Sequence, residues 1–71
     1  MAKVTWEDTK QIGLELADRY PEMDPVPVSP EELRRMVTEL EGFEDDPTAG
    51  DAVTLSVIRQ RWLEAFLALQ E

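Results

Sequence analysis

Four of the five prolines of this 71-residue chain fall within "PEMDPVPVSP", residues 21 to 30. Proline fixes φ and lacks a backbone N–H, and both properties disfavour it in the interior of a helix and in a paired strand. The stretch therefore predicts a stiff, extended linker, with regular structure placed before and after it. We expect Met23, Val26 and Val28 to pack the linker against the core.

The segment before the linker predicts an amphipathic helix. Thr5 and Asp8 resemble a capping box at its start, with Asp in place of the usual Glu or Gln. Pro21 ends the helix. The apolar stripe consists of Ile12, Leu16 and Tyr20. Gly13 lies beside that stripe and costs about 1 kcal/mol relative to alanine in a helix interior, so we expect another helix to approach closely there.

A second helix begins after the linker with a strong start signal. Ser29 suits the N-cap, Pro30 the first helical position and Glu32 the position that closes a capping box. The apolar stripe consists of Leu33, Met36, Val37 and Leu40. Gly42 suits the C′ position, and we expect Phe43 to fold back onto this stripe.

The last segment, from about Asp51 to the end, predicts a third helix. Its apolar face consists of Leu55, Ile58, Trp62, Ala65, Phe66 and Leu69, widened by Leu63 and Leu67. No segment alternates with period two, so we predict no substantial sheet. The three stripes can close one core, and the sequence predicts an all-α, compact three-helix domain that spans residues 1–71.

Charge narrows the class of partner. The chain has 16 acidic and 7 basic residues and a formal net charge of −9 at pH 7. Such a chain repels nucleic-acid phosphates and anionic membrane surfaces, and it attracts basic protein surfaces and cations. We therefore expect no nucleic-acid partner and no membrane partner.

Cysteine and histidine are both absent. Their absence excludes disulfides, zinc fingers, cysteine-ligated iron–sulfur clusters and Ser-His-Asp or Cys-His catalytic groups. No apolar run approaches the ~18 residues of a membrane span, and "MAKVTW" is not followed by the apolar region of a signal peptide. We expect a cytoplasmic monomer.

The stretch "FEDDPTAGD", residues 43 to 51, contains the consecutive acids Glu44, Asp45 and Asp46. One interpretation is a solvated loop in which Asp46 caps the last helix or a short turn before it. The other is a metal site, because carboxylates without imidazole or thiolate suit Mg²⁺, Ca²⁺, Mn²⁺ and iron ions. Glu44 and Asp45 have no structural role that the sequence indicates. We assign a shallow, weak metal site to these three acids and to Asp24 of the other Asp-Pro turn.

A second group of acids follows the first helix. The spacing i, i+7, i+10 and i+14 places acids along one side of that helix and its exit, away from the apolar stripe. The predicted partner-binding residues are Glu7, Asp8, Glu15, Asp18, Glu22 and Asp24. Glu7 and Asp8 can also be explained as charges that compensate the helix dipole.

Three features in order carry a family resemblance. They are Trp6 near the start, the pattern YPxxDP at residues 20 to 25 and the pattern FxDDP at residues 43 to 47, and a last helix that contains "RWLEA" follows them. Together they cover nearly the whole chain. The sequence thus resembles the IscX family, also called YfhJ, which comprises small acidic proteins encoded with the bacterial iron–sulfur cluster assembly machinery.

The resemblance implies a compact, all-helical variant of the winged helix. It also implies an adaptor or regulator that binds the cysteine desulfurase of the pathway through an acidic surface, in competition with frataxin and ferredoxin. Weak binding of iron through carboxylates is a further implication. A protein without cysteine cannot itself be the scaffold on which a cluster is built.

The residues themselves also allow other functions. The chain can be a generic acidic interaction module, including a DNA mimic, with no role for iron. An enzyme is disfavoured, because exposed loop acids do not have the separated pKa values that acid–base catalysis needs. Trp6 is expected in the core, with an exposed interface anchor as the alternative.

Four arginines form the two basic clusters of the chain, at residues 34 to 35 and at residues 59 and 61. We expect them to pair with glutamates at helical spacing. A nucleic-acid footprint would need more basic residues than these and would oppose the net charge.

Overall fold

The protein is described by a computed structural model over residues 4–70. It consists of α1 (Thr9–Arg19), α2 (Pro30–Thr38) and α3 (Ala52–Leu69), with no strand in that range. The predicted all-α, three-helix fold is confirmed, while the likeness to a winged helix stays a prediction. Residues 1–3 and 71, which the predicted domain includes, lie outside the described residues.

Polar side chains cap the start of α2 and of α3. The Ser29 hydroxyl accepts the backbone N–H of Glu32 at 3.2 Å, with Pro30 at the first helical position, as predicted. The Asp51 carboxylate accepts the backbone N–H of Thr54 at 2.8 Å. Each cap satisfies an N–H group that has no partner within its helix.

The start of α1 lies one turn later than the Thr5 pattern indicated. Asp8 is the N-cap residue, and its side chain makes no cap hydrogen bond. Its carboxylate instead accepts the backbone N–H of Thr5 at 3.1 Å, and the Asp8 N–H donates to the Thr5 carbonyl at 3.0 Å. Residues 5 to 8 therefore form a turn that leads into the helix.

One core draws on all three helices and on the segment before α1. The buried apolar residues are Val4, Trp6, Ile12, Leu16, Ala17, Leu33, Met36, Val37, Leu40, Leu55, Ile58 and Trp62. Within this core α1 packs mainly on α3. A Cβ at Gly13 would lie 2.6 Å from the Cβ of Arg61 and 2.8 Å from the backbone N of Trp62. The predicted close helix approach at Gly13 is confirmed.

The end of α2 differs from the prediction. The helix stops at Thr38, so Leu40 is buried from the following turn rather than from the helix. Gly42 is therefore not the C′ residue. It does have φ 88°, a conformation that glycine adopts without a steric penalty. Here glycine serves the loop after α2, because a residue with a Cβ would strain the turn that leads to Phe43.

The linker is held by Pro25 and by one of the three residues predicted to hold it, Val28. Pro25 is fully buried, whereas Met23 and Val26 are 41% and 59% exposed. Of the three predicted contacts only Val28 packs on the core. The Asp24 carboxylate accepts the Val26 N–H at 2.9 Å, and the Val28 N–H donates to the Pro25 carbonyl at 3.2 Å. This turn directs the proline ring inward and leaves its neighbours in solvent.

The core face of α3 is buried only in part. Leu55, Ile58 and Trp62 are buried as predicted, but Leu69 is 56% exposed, so its placement in the core is wrong. Leu69 is the last residue of α3, which has 18 residues against 11 in α1 and 9 in α2. At about 1.5 Å per residue, neither shorter helix matches the length of α3, so the end of its apolar face stays uncovered.

The segment before α1 pairs with the loop after α2. The Val4 N–H donates to the Gly42 carbonyl at 3.0 Å, and the Glu44 N–H donates to the Val4 carbonyl at 2.9 Å. Val4 and Phe43 thereby form a single parallel β-bridge. This pairing brings Trp6 next to the acidic loop.

Candidate docking surface and metal-binding residues

The acids predicted to bind a partner lie at the surface. We call them the α1 acidic face: Glu7, Asp8, Glu15, Asp18, Glu22 and Asp24. All are exposed except Glu15, which is half-buried. The ion pairs within residues 4–70 are Glu32–Arg35 and Arg61–Glu64, and neither includes this face. Partner binding by these six residues stays a prediction.

The members of the face differ in what they do for the fold. Asp8 and Asp24 accept backbone N–H groups of the turns described above, and Glu15 accepts the side-chain amide of Gln11 at 2.8 Å. Asp18 lies in the last turn of α1. A negative charge there opposes the helix dipole, which favours cations at the C-terminal end. Helix stability therefore does not explain Asp18.

The acidic loop at residues 43 to 51 is tied into the fold. The carboxylate of Asp45 accepts the backbone N–H of Trp6 at 3.1 Å through one oxygen and that of Asp46 at 2.7 Å through the other. Asp45, for which the sequence indicates no structural role, therefore has one. Its partner Trp6 is 39 residues away in the sequence, so no local pattern reveals this contact.

Asp46 caps the short turn before α3, the second of the two structural roles foreseen for it. One carboxylate oxygen accepts the Thr48 N–H at 2.9 Å and the Thr48 hydroxyl at 2.7 Å. These hydrogen bonds, the backbone one first, lower the pKa of Asp46 below its ordinary value. The bonds from Thr54 likewise lower the pKa of Asp51. Both groups are stabilised in the ionised form.

Trp6 packs beneath the acidic loop, on the side that faces the core. Its side chain is only 6% exposed, its indole N–H donates to the Asp46 carbonyl at 2.6 Å, and its ring meets that of Phe43 edge-on with centroids 5.1 Å apart. Gly50 lies against the ring, since a Cβ there would come within 2.7 Å of it. Trp6 is thus a core aromatic, as predicted.

The predicted metal ligands supply suitable atoms but not a preformed site. Carboxylate oxygens suit a hard cation, yet within residues 4–70 no three acidic side chains come together as a metal-binding group. Both carboxylate oxygens of Asp45 and one of Asp46 already accept hydrogen bonds, while Glu44 is exposed. The arrangement does not fit a preformed metal site. Binding at Asp24, Glu44, Asp45 and Asp46 stays a prediction.

Two of the four arginines in the basic clusters depart from the expected pairing. Arg35 and Arg61 form ion pairs with glutamates three residues away, as predicted. Arg34 instead donates to the Gly50 carbonyl, and Arg59 to the Val28 carbonyl. Each of these two arginines ties a helix to a loop through a backbone carbonyl.

An apolar groove between α1 and α3 was not foreseen from the sequence. It has a volume of about 410 Å³ and is lined by Leu14, Glu15, Ala17, Asp18, Ala65, Ala68 and Leu69. We call it the α1–α3 groove. Leu14 was the available signal, because this leucine falls outside the Ile12 and Leu16 stripe, on the polar side of the helix.

Fold and surface together define a class: a small, all-helical acidic protein with a group of acids along α1 and the turns at its two ends. Within residues 4–70 no helix is both long and apolar enough to cross a membrane. A family model described as "Iron-sulphur cluster assembly" matches residues 4–66. The chain belongs to this family, known as IscX or YfhJ, which confirms the resemblance.

A protein of Pseudomonas aeruginosa, named only as uncharacterized, is 39% identical to this chain over 59 residues. The alignment covers 83% of this chain and 89% of that protein. The relative supports the family relationship and adds no activity to it.

Proposed function

We propose that the protein is a cytoplasmic, non-enzymatic adaptor or regulator of iron–sulfur cluster assembly that docks on the cysteine desulfurase through the α1 acidic face. Family membership supplies the process. The observation that carries the docking surface is Asp18, an exposed acid at the helix end where its charge is unfavourable for the helix. Such a residue is explained by attraction to a basic partner.

Competition follows from the same electrostatics. A basic surface on the desulfurase attracts any acidic partner, so this protein, frataxin and ferredoxin compete for it in our proposal. Attraction of this kind accelerates association and weakens with salt, since exposed charges are screened over about 8 Å at physiological ionic strength.

Retention of the protein on immobilised cysteine desulfurase, at low and then at high salt, tests the docking proposal. We expect binding that salt weakens and that Asp18→Lys reduces at low salt. Glu41→Lys is the matched control, because Glu41 is an exposed acid outside the α1 acidic face. Absence of retention at low salt, or equal loss in both variants, contradicts the proposal.

Iron is the second ligand in this proposal, bound weakly by Asp24, Glu44, Asp45 and Asp46. Weak carboxylate ligation suits a protein that responds to free metal rather than one that stores it. An anaerobic Fe²⁺ titration followed by NMR tests it, and we expect broadening at these four residues. If their signals stay sharp, iron is removed from the proposal while desulfurase docking stands.

The alternative is an acidic interaction module without an iron role. It is favoured by the engagement of Asp45 and Asp46, whose carboxylates already accept hydrogen bonds. The two candidates differ in the rate of cluster formation, measured with and without this protein over a range of iron concentrations. An effect that does not change with iron supports the alternative.

A further inference from the structure

The α1–α3 groove exposes two large apolar side chains next to acidic ones. Leu14 is 49% and Leu69 is 56% exposed, and both line the groove. The other apolar lining residues are alanines, which leave room for incoming side chains. At about 410 Å³ the groove falls in the size range of ligand-binding sites, roughly 300–1,000 Å³.

The position of the groove indicates a polypeptide occupant. It runs between two helices and is open to the surface, which is the setting in which amphipathic helices bind to protein grooves. Apolar side chains of the occupant can contact Leu14 and Leu69 while its polar side remains in water. This contact buries apolar surface that the protein leaves exposed on its own.

Charge selects the chemistry of that polypeptide. Glu15 and Asp18, two members of the α1 acidic face, also line the groove. With a net charge of −9, a second copy of this chain would bring like charges together, whereas basic side chains would meet opposite charges. The groove is thus continuous with the proposed docking surface and complementary to a basic, amphipathic segment.

We propose that the α1–α3 groove binds a basic amphipathic segment of the docking partner, with its apolar side chains on Leu14 and Leu69 and its basic side chains beside Glu15 and Asp18. The proposal rests on the proposed function in taking the desulfurase as that partner. It adds an apolar, salt-resistant contact to a surface otherwise described by charge alone.

Affinity for the cysteine desulfurase at low and high salt, measured for Leu14→Gln and Leu69→Gln, tests the proposal. The matched control is Val53→Gln, because Val53 is an exposed apolar residue of α3, 73% exposed, that does not line the groove. We expect each groove variant to lose about tenfold in affinity at both salt concentrations. The control should bind like wild type. If the groove variants and the control bind alike, the proposal is overturned.

A second probe separates the groove from the proposed function. A synthetic leucine–lysine peptide with amphipathic helical spacing is titrated into the labelled protein, with a peptide of the same composition in scrambled order as the control. If the desulfurase does not bind the wild-type protein, the proposed function fails, and the peptide titration alone then decides whether the groove binds a basic amphipathic segment. NMR shifts at Leu14 and Leu69 that only the amphipathic peptide produces support the groove, and equal shifts with both peptides overturn it.

Control experiments with the same variants test whether they fold and whether the protein self-associates. Both leucines are about half exposed, so circular dichroism should show folded proteins. If one variant unfolds, the other decides the test. Sedimentation equilibrium of wild type alone should show a monomer; self-association that Leu69→Gln abolishes would assign the groove to a second copy and overturn the proposal.

Discussion

The acidic loop at residues 43 to 51 and the C-terminal end of α1 contain the same kind of side chain and use it differently. In the loop, Asp45, Asp46 and Asp51 accept backbone N–H groups that the turns and α3 leave without helical partners. On α1, Asp18 stands at the end of the helix where a negative charge is unfavourable. A structural acid is therefore recognised by the backbone N–H groups that its carboxylate accepts. The local density of acids does not separate structural acids from free ones.

The largest expected effect is that of Trp6→Ala, which removes the side chain against which the acidic loop is built. Loss of a buried tryptophan costs about 3–5 kcal/mol, and here the indole bond to the Asp46 carbonyl is lost as well. Urea unfolding followed by circular dichroism measures the loss. Trp6→Phe, which keeps an aromatic ring but no N–H donor, should cost less. A loss below about 1 kcal/mol for Trp6→Ala would mean that the loop does not depend on Trp6.

Asp45→Ala is expected to reduce the free energy of unfolding by about 1–3 kcal/mol, because two backbone N–H groups lose their acceptor. The neighbouring Glu44→Ala is the control and should change stability by less than about 0.5 kcal/mol. Both are measured by thermal and urea unfolding. Equal values for the two variants would remove the distinction between structural and free acids within the loop.

Asp18→Lys is expected to stabilise the fold by about 0.3–1 kcal/mol, since it replaces an acid with a base at the C-terminal end of α1. The same substitution is expected to weaken desulfurase docking. If Asp18 serves a partner and not the fold, the variant is more stable and binds the desulfurase more weakly. Urea unfolding and affinity measurements on the same variant check both changes. A destabilised Asp18→Lys protein would assign Asp18 a structural role and contradict the comparison.

The smallest expected effect is a change in how the stability of the fold depends on pH under acidic conditions. The folded pKa values of Asp46 and Asp51 lie below the ordinary value of 3.8. The stability that these two groups contribute is therefore present above that value and is lost as the pH falls through their lowered folded pKa values. Asp46→Asn keeps an acceptor but cannot titrate, so it should lose less stability than wild type on acidification. Urea unfolding at a series of pH values below about 4 measures this difference, and parallel curves would contradict it.

Local patterns predicted the features that depend on neighbours in sequence. Ser29 and Pro30 mark the start of α2 because an N-cap involves only the next few residues. Gly13 indicated a helix contact because a glycine inside an amphipathic helix has a cost that packing explains. The end of α2 was missed, since Leu40 continues the apolar stripe in sequence although the helix has already ended.

The candidate surface was predictable in its charges and not in its shape. Helical spacing alone places Glu15 and Asp18 away from the buried stripe. The role of Asp45 depends on Trp6, which lies beside it because the segment before α1 pairs with the loop. The groove beside Leu14 exists only once α1 and α3 are packed together, so the position of Leu14 on the polar side of α1 was its only signal in the sequence.

The packing of α1 mainly on α3 has a consequence for synthesis of the chain. A ribosome synthesises α1 and α2 before it makes the helix on which α1 mainly packs. At about 5–20 residues per second, the nascent chain exposes the stripe of Ile12 and Leu16 for a few seconds, whatever the stability of the finished fold. Folding of the newborn protein therefore waits for its third helix, and during the wait Ile12 and Leu16 remain accessible to chaperones.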